Sequence, residues 1–171
     1  MPYPISICMI AKSEEKYIEK CLAAIRSHAT GAMRPEIIVV DTGSTDRTKE
    51  IAARYADQVL DFVWVNDFSA ARNFAVSQAS HDHILSLDCD EIITQLDLDR
   101  LSVLMEQHPE AVGRIAIDNH YFSNQTDTVY RDRLGRFFHR GFFRFDAPIH
   151  EQLVHKQTGS RYESYDAPIL V

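Results

Sequence analysis

Two short apolar runs in this chain end abruptly in acidic residues. Residues 84–91 read Ile-Leu-Ser-Leu-Asp-Cys-Asp-Glu, and residues 36–41 read Glu-Ile-Ile-Val-Val-Asp. Apolar runs of this length are typical of strands that are buried on both faces of a parallel sheet. Open α/β sheets bind their ligands at the carboxyl ends of such strands. The two runs therefore predict a sheet with carboxylates gathered at one ligand-binding edge.

The acidic turn that follows Leu87 favours a metal ion. Asp88, Asp90 and Glu91 repel one another, so a folded protein keeps them together only with compensation. A hard divalent cation such as Mg²⁺ or Mn²⁺ supplies it and takes oxygen ligands of this kind. A solvated acidic loop is the alternative for this turn taken alone. The second acidic strand end, at Asp41, favours a site for a nucleotide and a metal ion.

Strands and helices alternate over the first hundred residues, which predicts an α/β fold with a mainly parallel, Rossmann-like sheet and crossover helices. The predicted strands are residues 5–10, 36–41, 58–65 and 83–87. The first helix has Ser13 as its N-cap and a core face at Ile18, Cys21, Leu22 and Ile25. Further helices are predicted over residues 46–56, 69–79 and 97–107.

The pattern changes after Pro109, where β-branched, aromatic and arginine residues become frequent. Residues 112–121 and 128–145 are predicted to be antiparallel strands added to the parallel core, with turn signals at Asn124 and Gly135. Residues 123–127 are predicted to form a turn or a mobile loop. The last residues, 167–171, resemble a strand that is just beginning, which favours a longer protein truncated at this point.

Composition excludes several classes of protein. The 171 residues fit one domain, and 18 basic against 25 acidic residues give a net charge of −7, which argues against a nucleic-acid partner. No apolar run approaches the roughly 20 residues that span a bilayer, and the start lacks a signal peptide. Cys8, Cys21 and Cys89 are scattered, which favours reduced thiols in a cytoplasmic protein. An anchor outside this chain would place it at the inner face of the membrane.

Four segments together resemble the motifs of family 2 glycosyltransferases in order and spacing. They are residues 7–15 (Ile-Cys-Met-Ile-Ala-Lys-Ser-Glu-Glu), 39–46 (Val-Val-Asp-Thr-Gly-Ser-Thr-Asp), 67–73 (Asp-Phe-Ser-Ala-Ala-Arg-Asn) and 87–91 (Leu-Asp-Cys-Asp-Glu). The resemblance is closest to a bacterial branch with Ile-His-Glu, here at 149–151. One departure is Ser13, where the family usually has Asn.

The resemblance implies a glycosyltransferase A-type fold and inverting transfer from a nucleotide-diphosphate sugar, with a UDP-sugar favoured as donor and Mg²⁺ or Mn²⁺ as cofactor. It further implies one catalytic domain over residues 1–171. Residues 1–108 would form the nucleotide-sugar-binding half and residues 109–171 the acceptor-side half. The acceptor, whether a saccharide, a lipid-linked molecule or a protein, is not indicated.

The resemblance also implies roles for residues near the nucleoside. Asp41 would hydrogen-bond the base, and Ala11 with Glu14 would line the nucleoside pocket. A carboxylate can accept the imide N–H of uracil, which is consistent with that role. The alternative for Asp41 is an Asx-turn that opens the loop at Thr42 and Gly43.

Further roles concern the diphosphate and the metal. Arg72 would contact the nucleotide or its diphosphate, which a guanidinium suits, or it is a surface arginine paired with Asp67 or Glu91. Asp90 would ligate the metal directly, while Asp88 would reach the ribose or a metal-bound water.

Inversion needs a base that takes the proton of the acceptor hydroxyl. Glu151 is the candidate and Asp146 the reserve, and His150 would complete the metal shell or contact the diphosphate. The alternative is a strand-end histidine beside a solvated glutamate.

Two other functions stay open. A nucleotidyltransferase that makes nucleotide sugars would share the sheet and the metal, but it would normally have a Gly-rich, basic loop where this chain has the acidic residues 11–15. A binding module that retains the fold without catalysis is the second.

Overall fold

The computed structural model describes residues 4–28, 34–123 and 126–171. Its strands are β1 (Ile5–Ala11), β2 (Glu36–Asp41), β3 (Gln58–Asp61), β4 (His83–Leu87), β5 (Gln95–Leu96), β6 (Val112–Ser123), β7 (Thr126–His139), β8 (Phe143–Asp146), β9 (Gln152–His155) and β10 (Ser164–Leu170). Its helices are α1 (Ile18–His28), α2 (Thr48–Ala52), α3 (Phe68–Gln78) and α4 (Leu98–Gln107).

Eight of these strands form one sheet, in the order β3-β2-β1-β4-β7-β6-β10-β5. The four strands of the first part, β3, β2, β1 and β4, are parallel. Strand β7 is antiparallel to β4 and to β6, and β10 runs parallel to β6. The prediction of an α/β fold with a mainly parallel core and added antiparallel strands is therefore confirmed.

The register of the parallel strands brings the predicted acidic ends together. Ala11 pairs with Asp41 at the carboxyl ends of β1 and β2, and Met9 pairs with Leu87 near the end of β4. Crossover helices return the chain to the opposite edge after each strand, so successive parallel strands end on the same side. The acidic turn after Leu87 consequently lies at the same edge as Asp41.

Both faces of the sheet are covered. Helices α1, α2 and α4 pack on one face through Ile18, Cys21, Leu22, Ile25, Ile51, Ala52, Leu101 and Met105. On the other face, α3 and the hairpin β8–β9 pack through Ala75, Val76, Ala79, Phe143, Phe145 and Leu153. Burial on both sides explains why β1, β2 and β4 read as nearly continuous apolar runs.

Several predicted elements begin or end elsewhere, among them the helix predicted over residues 46–56, which is α2 and covers Thr48–Ala52. Strand β3 stops at Asp61, opposite the last residue of β2, and residues 62–65 leave the sheet with Val63 exposed. Helix α1 begins at Ile18, so Ser13 is not its N-cap. The backbone of Ser13 is instead in the left-handed region, at φ +56°, and its N–H donates to Ser44 Oγ. Asn adopts this region more readily than Ser, which is consistent with the Asn that family 2 glycosyltransferases usually have at the position of Ser13.

The predicted turn at Gly135 is wrong, because Gly135 lies inside β7 and pairs with Arg114. The reversal comes later, at residues 140–142, between β7 and β8. The predicted turn at 123–127 falls partly outside the described residues, which lack 124–125, while β6 ends at Ser123 and β7 begins at Thr126.

Cys8, Cys21 and Cys89 are buried and free, as predicted. Burial raises the pKa of the Cys8 and Cys21 thiols to about 12. In the part of the chain that the structure describes, no helix has both the length and the apolar character needed to cross a bilayer.

Candidate functional site

A pocket of about 520 Å³ opens at the carboxyl edge of the sheet. Seven of the predicted site residues line it: Ala11, Glu14, Arg72, Asp88, Asp90, His150 and Glu151. These residues come from the ends of β1 and β4, from α3 and from the loop between β8 and β9. The pocket therefore draws on both predicted halves of the chain. Asp41 and Asp146 are not among its lining residues.

Asp41 lies beneath the pocket wall, next to the lining residue Thr42, and is only 2% exposed. Its Oδ1 accepts hydrogen bonds from the N–H groups of Gly43 (3.0 Å) and Ser44 (2.9 Å). The Asx-turn that the sequence offered as an alternative is thus present. Oδ2 is buried without a hydrogen-bond partner in the described structure. A buried carboxylate oxygen without a donor is costly, so it suits a ligand N–H.

Hydrogen bonds join the loop after β1 to the loop after β2. The carbonyl of Ala11 accepts from the N–H of Thr42 at 2.9 Å and from its hydroxyl at 3.1 Å. The N–H of Glu14 donates to Thr48 Oγ1 at 2.7 Å, which fixes the glutamate beside the pocket. Burial raises the pKa of Glu14, and the neighbouring carboxylates, Asp90 first, raise it further.

Arg72 is a buried cation that lines the pocket and is 6% exposed. Its Nε donates to Glu151 Oε1 and its Nη2 to Asp88 Oδ1, each at 2.6 Å. A third bond runs from Nη1 to Ser86 Oγ at 3.2 Å. Arg72 therefore pairs neither with Asp67, whose side chain caps α3, nor with Glu91. It is a buried hub within reach of any ligand in the pocket.

The acidic turn is closed by its own residues and by a second arginine. Glu91 Oε2 accepts the N–H of Asp88 at 2.8 Å, and Arg136 Nη2 lies 2.8 Å from Asp88 Oδ2. Burial would raise the pKa of Asp88, but the charges and hydrogen bonds of Arg72 and Arg136 hold it below its usual value. Burial raises the pKa of Glu91, against the charge of Arg136.

The predicted metal ligands do not form a preassembled cage. Asp90 is exposed at the pocket, whereas both oxygens of Asp88 are held by arginines, and His150 is exposed on the facing loop. Within the described ranges, no cluster of three or more His, Cys, Asp or Glu residues is able to hold a metal ion. Cys89, between Asp88 and Asp90, directs its thiol to the carbonyl of Ile10 at 3.3 Å.

Helix α3 holds the loop that carries His150 and Glu151. The hydroxyl of Ser69 donates to the carbonyl of Ala147 at 2.5 Å, and the N–H of Phe68 donates to that of Pro148 at 3.0 Å. Ala147 and His150 have left-handed backbones, at φ +82° and +55°. Such strain persists only where the surroundings impose it, and it occurs often at functional sites.

The two candidate bases differ in position. Glu151 lines the pocket and is bonded to Arg72, so the structure places it beside Asp88, whose carboxylate shares the same guanidinium. Asp146 is exposed and pairs with Arg144 at 2.8 Å, outside the pocket. The geometry favours Glu151 over Asp146.

Sequence reasoning missed three contributors to the site. Trp64 and Phe68 line the pocket with their rings 4.8 Å apart; Trp64 lies in the predicted strand 58–65 and Phe68 just before the predicted helix 69–79. Arg136 lies in the stretch 128–145, for which the sequence predicts only an antiparallel strand. A single tryptophan three residues before the 67–73 motif was the available signal for Trp64, whereas no local pattern shows that Arg136 faces Asp88.

Comparison with known proteins identifies relatives of this chain. The family model described as Glycosyl transferase family 2 matches residues 6–165. A TPR repeat-containing protein of Synechococcus elongatus is 38% identical over 176 residues, which cover 97% of this chain and 41% of that protein. The chain thus spans about two fifths of the length of this relative.

Two solved structures show the same fold. TarS residues 1–349 from S. aureus, in complex with UDP-GlcNAc, matches 98% of this chain and 58% of its own with a TM-score of 0.67 and 16% identity. Glucosyl-3-phosphoglycerate synthase from Mycobacterium tuberculosis, in complex with Mn²⁺, UDP and glucosyl-3-phosphoglycerate, matches 67% of this chain and 43% of its own with a TM-score of 0.50 and 21% identity. Both are glycosyltransferase A-type folds. Since the family model covers nearly the whole chain, the chain belongs to glycosyl transferase family 2.

Proposed function

We propose that the pocket binds a nucleotide-diphosphate sugar, UDP-linked, and transfers the sugar with inversion to an acceptor hydroxyl. One observation carries the proposal: a single pocket gathers the strand ends of β1 and β4, the buried cation Arg72 and the carboxylate Glu151, and the buried Asp41 directly precedes the lining residue Thr42. These are the chemical groups that a base, a diphosphate and an acceptor hydroxyl require. UDP and UDP-GlcNAc complexes among proteins of the same fold support this donor class.

The nucleoside would bind beside the ends of β1 and β2. Asp41 Oδ2 would accept the imide N–H of uracil, which gives that buried oxygen the hydrogen bond it lacks. Ala11 and Glu14 line the same side of the pocket. Because Oδ1 is already committed to the turn, the orientation of the carboxylate is fixed before the ligand arrives.

The residues present fit a divalent cation that is shared with the substrate. Mg²⁺ and Mn²⁺ are commonly held by one or two protein ligands, with substrate phosphates and waters in the remaining positions. Asp90 and His150, which both line the pocket, would hold the cation, and Asp88 would reach the ribose or a metal-bound water. When bound, the cation would stabilise negative charge on the departing diphosphate. A complex of the same fold with Mn²⁺ and UDP supports this cofactor class.

Arg72 would contact the diphosphate, and Glu151 would act as the base. The Arg72 guanidinium lies in the pocket and offers charge to a diphosphate, although its bonds to Asp88 and Glu151 would have to share or exchange with phosphate oxygens. Glu151 would take the proton of the acceptor hydroxyl, since it lines the pocket whereas the other candidate, Asp146, does not.

The experiment that tests this function is a donor panel with the full-length protein. The proposal would be supported if UDP is released from UDP-sugars faster than GDP is released from GDP-sugars or CDP from CDP-sugars. Pyrophosphate release from a nucleoside triphosphate with a sugar phosphate would instead identify a nucleotidyltransferase. Binding of UDP-sugars without turnover, in the presence of extracts that supply acceptors, would identify a binding module.

A further inference from the structure

Arg136 lies where strand β7 changes its pairing. Phe137 pairs with β4 and with Gly113 of β6, but the next residue of β6, Arg114, pairs with Gly135. Arg136 is therefore the extra residue of a β-bulge. A bulge bends its strand and redirects the side chain that it carries, and bulges are frequent beside active sites.

Gly135, the residue before Arg136, leaves room for a buried side chain of β6. A Cβ atom on Gly135 would lie 2.9 Å from Cγ1 of Val112, closer than real Cβ contacts allow. A larger residue at this position would therefore force the buried Val112 side chain to shift. The residue that suggested a turn in the sequence instead lies next to the bulge.

The redirected guanidinium reaches the acidic turn. Nη2 of Arg136 lies 2.8 Å from Asp88 Oδ2 and 3.4 Å from Glu91 Oε1. The side chains of Arg136 and Glu91 are 13% and 12% exposed, so their contact is largely shielded from water, whereas the Asp88 side chain is 35% exposed. Glu91 in turn accepts the N–H of Asp88 at 2.8 Å. The turn that presents Asp90 is thus held by Arg136 of β7 as well as by the hydrogen bond between its own residues Asp88 and Glu91.

Asp88 receives one arginine on each oxygen: Arg72 on Oδ1 and Arg136 on Oδ2. Without Arg136, Asp88 would keep only Arg72, which it shares with Glu151, and Glu91 would lose its arginine partner. Like charges at this spacing repel, so the turn would be expected to open.

We infer that Arg136 is a positioning residue, which orients Asp88 and Glu91 so that the turn presents Asp90 to the diphosphate and its cation. It acts through these two carboxylates and does not line the pocket. The inference rests on the proposed function, because it assigns the turn to donor binding.

The test compares Arg136→Met and Arg136→Lys with a matched variant of the same strand end, Arg140→Met. Arg140 is also tied to its surroundings, through Asp82 at 2.9 Å and the carbonyl of Ala79 at 2.5 Å, but it lies away from the turn. Calorimetry measures UDP affinity in the presence of Mn²⁺, and denaturant unfolding measures stability. We expect Arg136→Met to weaken UDP binding with Mn²⁺ roughly 10–100-fold, the usual effect of losing an outer-shell partner. Arg136→Lys should restore part of it, and Arg140→Met should lower stability alone.

Unchanged UDP affinity in Arg136→Met would overturn the inference and leave the proposed function standing. An equal loss in Arg140→Met would also overturn it, since the effect would then be general destabilisation. Absence of UDP binding in the wild-type protein would overturn the proposed function and, with it, the inference. If Arg136→Met does not fold, amide hydrogen exchange of residues 88–91 in Arg136→Lys decides, because exchange as slow as in the wild type contradicts a role in holding the turn.

Discussion

Arg72 Nε donates a 2.6 Å hydrogen bond to Glu151 Oε1 and so joins helix α3 to the loop that enters β9, across 79 positions of the chain. The side chains are 6% and 15% exposed. The same guanidinium also bonds Asp88 at 2.6 Å. One buried cation therefore fixes a carboxylate from each half of the pocket.

Replacing Arg72 with Met should destabilise the fold strongly, because Met fills much of the volume but leaves Glu151 as an uncompensated, largely buried charge and Asp88 with Arg136 alone. Breaking a buried ion pair in this way costs about 3–5 kcal/mol of unfolding free energy. Denaturant unfolding measures the loss. Arg144→Met is the matched control, since its pair with Asp146 is half exposed and its loss should change stability by only about 0.5 kcal/mol. Equal stability of both variants would contradict the buried hub.

Asp41→Asn should separate base recognition from turn structure. The amide oxygen can still accept from Gly43 and Ser44, whereas an NH₂ group replaces the unpartnered Oδ2. UDP should lose about 1–3 kcal/mol of binding free energy because two donors then face each other. CDP, whose base has an acceptor in place of the imide N–H, should lose less. Calorimetry with UDP, CDP and pyrophosphate checks this, and equal losses for all three would indicate a collapsed turn.

The sequence predicts those parts of the site that depend on local pattern. The apolar runs of β2 and β4 end in Asp41 and Asp88 because both strands are buried on two faces, and parallel strands share a carboxyl edge. The helix predicted over residues 97–107 is α4, and the structure makes Asp97 its N-cap, with its side chain accepting the N–H of Arg100.

The parts that depend on distant partners are not readable in the same way. Strand β3 ends where its neighbour β2 ends, and not where its own β-branched residues end, at Val65. The pairing of Arg136 with Asp88 needs a bulge 48 positions away from the turn. Periodicity carries no information on such tertiary contacts. From local pattern alone, a glycine such as Gly135 therefore indicates a turn, although it lies inside β7.

Glu151→Gln should reduce sugar transfer by roughly 10²–10⁴-fold, the range for loss of a general base. The amide oxygen can still accept from Arg72 Nε, so UDP affinity and stability should stay near those of the wild type. Turnover of the donor identified by the panel, with the full-length protein, is the measurement. Asp146→Asn is the control and should turn over normally, since Asp146 lies outside the pocket. Normal turnover of Glu151→Gln with a defect in Asp146→Asn would reverse the two assignments.

His83 should make the fold sensitive to mild acid. Its ring packs against His139 and Phe137, and burial, aided by the charge of His139, lowers its pKa from 6.5 to about 4. The unfolded chain therefore takes up a proton as the pH falls through 6.5, while the folded protein does so only near 4, and stability falls over this range. His83→Phe keeps a ring and should lose less stability between about pH 7 and pH 4.5. If the urea midpoint of unfolding fell with pH equally in the wild type and in His83→Phe, the role of His83 would be contradicted.

The central claim is that the acidic turn binds a nucleotide diphosphate together with a divalent cation, and Asp90 is its exposed ligand. Calorimetric titration of UDP with Mn²⁺ and with a chelator, for the wild type and for Asp90→Asn, tests this most directly. The account predicts much tighter UDP binding with Mn²⁺ in the wild type, and equal, weak binding under both conditions in Asp90→Asn, with unchanged unfolding. Wild-type UDP affinity that is the same with Mn²⁺ and with chelator would contradict it.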